Sequence, residues 1–147
     1  MPGLDAADDT TIGDEEPLYY RVYPDSKSIV RISALAEYRP ASGSLRSDGP
    51  LSVNLGSLTT PQETRDQDTS SIFHVAAFSA GIARRLHCRI IRDPLPPNHA
   101  HALVYGNHKS GSGALSKSQR KRIADRTRIV LVNEHALEGV ETEDDEE

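Results

Sequence analysis

The chain carries one cysteine, no tryptophan, two phenylalanines and one methionine. A lone Cys88 excludes a disulfide within the chain, and it excludes a zinc site built on several thiolates. Lying in the apolar run that ends in Ile90 and Ile91, it reads as a small buried hydrophobe. With so few large aromatics and a hydrophobic fraction of 36%, the core of this 147-residue chain must be modest, and one domain is expected. No apolar run approaches the roughly 20 residues of a membrane span. The N-terminus is acidic and polar, unlike a signal peptide. A cytoplasmic protein without membrane contact is the expectation, and no motif calls for a cofactor.

What is abundant is charge, and its layout is uneven. Residues 1–16 hold six acids and no bases, and residues 134–147 hold eight acids and no bases. Residues 17–133 keep all 17 Lys and Arg against the remaining eight acids, a formal +9. The sequence therefore reads as one basic domain, 17–133, between acidic tails, 1–16 and 134–147, expected to be disordered because such composition cannot offset ordering entropy. The tails either solvate the domain or compete for its basic face with a polyanion.

Residue patterns place the elements. LYYRVY (Leu18–Tyr23), IVRI (Ile29–Ile32) and LSVNL (Leu51–Leu55) read as strands, the last with Ser52 and Asn54 on its polar face. ALAEYR, after Ser33, reads as a helical turn ended by Pro40. Thr60-Pro61 can open a short helix with proline at its first position. A strand near Phe73 and Val75 leads to a helix capped by Ser79, then to strands over 88–92 and 99–105 around a proline turn. Ser116 and Gln119 form a capping box for a basic helix, and RIVLVN is the last strand. About six strands and two or three helices predict an α+β domain with a single mixed or antiparallel sheet.

Candidate chemistry gathers in a few places. His99 and His101, two apart in a strand, would face one site and share proton transfer or bind a metal. A metal would need a third ligand such as His74, Asp93 or His108, and no complete metal set is indicated. The alternative is that one histidine is exposed and the other bonds the loop. Arg21, midway along an aromatic strand, is either an outward cation or an anion anchor. Lys109 sits in the loop GNHKSGSG, which could present amides to phosphate but lacks the order of a P-loop. Lys117, Arg120, Lys121 and Arg122 open the basic helix, as a phosphate-facing surface or a solvated one.

The blocks AAFSAGIARRL and IIRDPLPPNHAHALVYG, with LSVNLGSLTTP and LYYRVYP, resemble a pattern of short uncharacterised bacterial proteins over about residues 18–106. The resemblance implies that these blocks form one domain and assigns no catalytic residue. Arg21, Ser33 and a later polar strand also resemble ADP-ribosyltransferase-like folds, which need an acidic residue that the sequence does not place. Two functions are therefore expected. One is a binding module whose basic face engages nucleic acid or another polyanion. The other is a small enzyme for a phosphate-bearing or nucleotide substrate, with Arg21, His99, His101 and Lys109 around one pocket.

Overall fold

The computed structural model describes residues 7–32, 35, 37–46 and 48–143. Its class is α+β. A six-stranded antiparallel sheet runs in the order β6-β7-β4-β1-β5-β8, built from β1 (Pro17–Val22), β4 (Leu51–Leu55), β5 (His74–Ser79), β6 (Arg89–Arg92), β7 (His101–Tyr105) and β8 (Arg128–Leu131). A second sheet of three strands runs β3-β2-β9, from β2 (Ile29–Ile32), β3 (Glu37–Pro40) and β9 (Thr142–Glu143).

Strand alternation divides the large sheet into two unlike faces. Leu18, Tyr20 and Val22 of β1, Val53 and Leu55 of β4, and Ala102 and Val104 of β7 enter the main core. Ala80 and Ala83 of α2 (Ala80–Arg85) and Ile123 and Ala124 of α3 (Lys117–Arg126) join that core. The residues between them in sequence, Tyr19, Arg21, Ser52, Asn54 and His101, take the opposite face. There α1 (Pro61–Asp66) sets its buried Thr64 beside Asn54, whose amide nitrogen donates to the Thr64 hydroxyl at 3.0 Å.

Local chemistry explains the helix starts. The Thr60 hydroxyl accepts from the Glu63 amide ahead of proline, Ser79 caps the Ile82 amide, and Ser116 and Gln119 complete the capping box of α3. Gln119 does more than cap. Its Oε1 accepts from the amides of Ser116 at 2.9 Å and Asn107 at 3.0 Å, while Nε2 donates to the Leu86 carbonyl at 2.7 Å. Gly106 permits this junction, because a Cβ there would lie 2.4 Å from the Leu115 Cα and 2.6 Å from Gln119 Oε1.

Two expectations change. Residues 37–40, read as part of a helical turn, form β3 and pair antiparallel with β2 from Ile29↔Pro40 to Ile32↔Glu37. Good local helix formers yield here to strand pairing, a tertiary override of a weak propensity. Ser33, read as the cap of that turn, lies outside the described residues. The acidic N-terminal stretch also behaves unlike its composition over residues 7–16. Ile12 is buried in the main core. Asp8 and Asp14 both pair with Arg84, at 3.1 and 2.7 Å, and Asp9 pairs with Arg92 at 3.2 Å. The Asp9 amide donates to the Ile90 carbonyl, and the Ile90 amide donates to the Asp8 carboxylate, both at 2.8 Å. The carboxylates meet the domain's own arginines, so charge docks a segment that its polarity alone would release.

Candidate functional site

Register assembles the site. Tyr19 faces Asn54 across β1 and β4, and Asn54 faces His101 across β4 and β7. Three side chains from distant parts of the chain thus form one row on the polar face, with Arg21 and Ser52 one row further on. A cavity of about 440 Å³ opens over them, closed above by Thr64 and Gln67 at α1 and by Leu95, Pro97 and Asn98 of the 93–100 loop.

An amide network fixes the walls. Asn54 Nδ2 donates to Gln67 Oε1 at 2.8 Å as well as to Thr64, and Asn54 Oδ1 accepts from Asn98 Nδ2 at 3.0 Å. Arg21 Nη1 donates to the Thr64 carbonyl at 2.9 Å, and its guanidinium lies 5.8 Å from the Phe73 ring centre. His101 Nδ1 lies 2.9 Å from the Asp93 carbonyl oxygen and 3.2 Å from the Asp93 carboxylate. A carbonyl oxygen only accepts, so Nδ1 carries a proton and Nε2 is the nitrogen left for a ligand. Both side chains are only 11% exposed, which holds the dyad in one orientation.

Counting the remaining polar groups indicates the ligand. Gln67 Oε1 is already engaged, and its Nε2 has no partner among the described residues. Arg21 Nη2 and the Ser52 and Tyr19 hydroxyls are likewise unengaged there. The cavity thus offers mostly donors, one permanently charged, and suits a ligand rich in acceptors or negative charge.

The expected site residues divide. Arg21 and His101 share this cavity. His99 precedes β7 instead of lying in it, is exposed, and lines a neighbouring groove of about 410 Å³ with Glu63, Asp66 and Ala100. Gln67, Pro97 and Asn98 line both spaces, so the histidines flank one wall and do not face one site. The strand begins two residues later than expected, which removes the alternation argument for His99. Lys109 is exposed in the 106–113 loop and does not line the cavity. That loop engages its amides internally: Gly106 bonds Gly113, His108 bonds Ala114, Gly111 bonds His108, and Ser110 bonds the His108 ring. Lys117, Arg120, Lys121 and Arg122 lie on α3, whose core residues pack on the other sheet face. Arg120 turns back to the Leu115 carbonyl at 2.8 Å, and Lys121 reaches Asp125 at 3.7 Å.

Asp93, considered from sequence only as a third metal ligand, is instead the partner of His101. Among the described residues no three His, Cys, Asp or Glu side chains gather as a metal site requires. Asn98 and Gln67 were missed, since isolated amides in loops give no pattern. Among the described residues, no helix is long and apolar enough to cross a membrane. Comparison with protein-family models, with curated proteins and with solved structures finds no match for this chain.

His74, the other candidate ligand, is a core residue. It is fully buried, its Nδ1 accepts from the Asn133 amide at 2.9 Å, and Nε2 is buried without a partner among the described residues. Burial first, and then the Arg65 charge, hold its pKa below the ordinary imidazole value, against a smaller opposing effect of Asp25. The unfolded chain therefore binds one more proton than the native state between the depressed native pKa and about 6.5. Stability should be level with respect to His74 above that window and fall as pH drops through it, by up to about 1.4 kcal/mol per pH unit. Urea midpoints at neutral and mildly acidic pH should show this slope in the parent, and a weaker one in His74→Gln. An equal slope in both proteins contradicts the assignment.

Proposed function

We propose that the chain is a small enzyme acting on a phosphate-bearing or nucleotide substrate held in the cavity of the polar sheet face. The observation that carries this reading is the convergence of Arg21 with the His101–Asp93 dyad on one donor-rich cavity. Arg21 binds the anionic group of the substrate. His101 Nε2 accepts a proton from the attacking group, while Asp93 holds the imidazole tautomer and favours the imidazolium that forms. Asn54, Gln67 and Asn98 position the polar edge of the substrate, and Leu95 and Pro97 shield it from water.

The test is a panel of nucleoside mono- and diphosphates and aryl phosphate esters, assayed for a rise in melting temperature and for turnover. A member of the panel should stabilise the protein. Arg21→Gln should weaken that binding about tenfold or more, in line with loss of a charge-assisted hydrogen bond. His101→Gln should keep binding and lower turnover by about 10²–10⁴-fold. Absence of any stabilising member, or indifference to Arg21→Gln, defeats the proposal.

A further inference from the structure

A second concave surface lies on the other side of the sheet, between α2 and α3. It encloses about 380 Å³ and is lined by Ile82, Arg85 and Leu86 from the first helix and Arg122, Asp125 and Arg126 from the second. Its arginines differ from most of the others, although exposed Arg31 of β2 likewise has no side-chain partner among the described residues. Arg21, Arg65, Arg84, Arg92, Arg120 and Arg128 are each held by carbonyls or carboxylates at 3.2 Å or less. Arg122 and Arg126 have no hydrogen-bond or ion-pair partner among the described residues, and Arg85 has only a 3.4 Å bond to the Gly81 carbonyl of its own turn.

We propose that this groove is a binding site for the phosphate backbone of a nucleic acid strand. Arg122 and Arg126 are one helical turn apart, with Cβ atoms about 5–6 Å from each other, and Arg85 faces them from α2. Guanidinium forks suit phosphate oxygens, and unengaged ones give up no internal bond on binding. Ile82 and Leu86 offer an apolar floor against which sugars and base faces can rest. Exposed Lys117 and Lys121, again four apart on α3, continue the cationic surface beyond the groove. Such an extended array fits a chain of phosphates better than one phosphate. It offers no base-reading pattern, so affinity should depend little on sequence. Among the described residues Asp125 is the one acid in the wall, and Lys121 lies 3.7 Å from it. Its charge opposes the ligand.

The experiment is fluorescence anisotropy of the full chain with labelled duplex DNA, single-stranded DNA and single-stranded RNA between about 50 and 200 mM salt, a range over which phosphate contacts weaken steeply. Binding should decline with a log–log slope of about 0.9 per phosphate on duplex and about 0.7 on single strands. The triple variant Arg85→Gln, Arg122→Gln, Arg126→Gln should bind at least about tenfold more weakly at low salt and show a slope smaller by about two to three phosphate contacts. These side chains lie on the exposed wall of the groove, so circular dichroism and melting should confirm an intact fold. Asp125→Asn should move affinity the other way and tighten binding. No binding by the parent at the lowest salt overturns the proposal, as does a triple variant with parental affinity and slope. Capture of a polyglutamate peptide in preference to every oligonucleotide also overturns it, by making the occupant an acidic protein segment.

Discussion

A chain that begins at Pro17 should lose a large share of its stability and unfold with a urea midpoint lowered by roughly a third or more. The estimate follows from what residues 7–16 contribute. Burial of Ile12 in the main core is worth about 1.5–3 kcal/mol. Asp8 and Asp14 both hold Arg84, whose side chain is only 20% exposed; the Asp14 pair is mostly in solvent and adds little, so the two together are given about 1 kcal/mol. The amides of Ala80, Gly81 and Ser57 donate to Glu16, Asp14 and the Glu16 carboxylate, and each such bond adds about 1 kcal/mol. A loss of about 5.5–7 kcal/mol is large beside the 5–15 kcal/mol of an ordinary domain. Composition alone leads to the opposite expectation, that trimming both ends leaves the fold intact. A truncated chain with the parental midpoint and slope would restore that view.

Gln119→Ala should be the most damaging single substitution in α3, at about 3–5 kcal/mol by chemical denaturation. Gln119 is 4% exposed and makes three bonds that no other side chain can make. Alanine leaves the Asn107 and Ser116 amides and the Leu86 carbonyl without partners, at about 1–3 kcal/mol for each that stays buried. The helix also loses half of its capping box. Because the three partners belong to the loop after β7, the start of α3 and the end of α2, their loss loosens three elements together. A cost below about 1 kcal/mol would mean that water replaces the side chain.

Much of the frame was legible in the sequence, for local reasons. LSVNL alternates cleanly, so its polar face with Ser52 and Asn54 could be read, while LYYRVY was legible as a strand with Arg21 at its middle. Ser79, Thr60-Pro61 and Ser116 with Gln119 signal helix starts through chemistry confined to four residues. The elements that failed depend on distant partners. Residues 37–40 become a strand because β2 lies beside them. His99 and His101 part company because the strand starts at His101, and only pairing with Asn54 fixes that start. The dyad partner Asp93 was visible as an acid next to proline, but its role needed the return of β7 alongside it. The cavity's amides come from β4, α1 and the 93–100 loop, and no sequence spacing joins them. Ile12 was hidden by acidic neighbours, whose partners Arg84 and Arg92 lie far along the chain.

The bonds between Asp8, Asp9 and Ile90 have one more consequence, and it concerns other molecules of the same chain. β6 is the last strand of its sheet, so its outer edge would otherwise show the Ile90 amide and carbonyl to solvent. Such an edge is a template for a strand from another copy, and the adjacent Ile90-Ile91 pair makes it a sticky one. The docked segment takes both hydrogen-bonding groups of Ile90 without forming a further strand, and it sets carboxylates where a newcomer would have to align. Acidic residues that look like a solubility tag therefore act as a guard against edge-to-edge aggregation, and a protease that removes them would release an aggregation-prone chain.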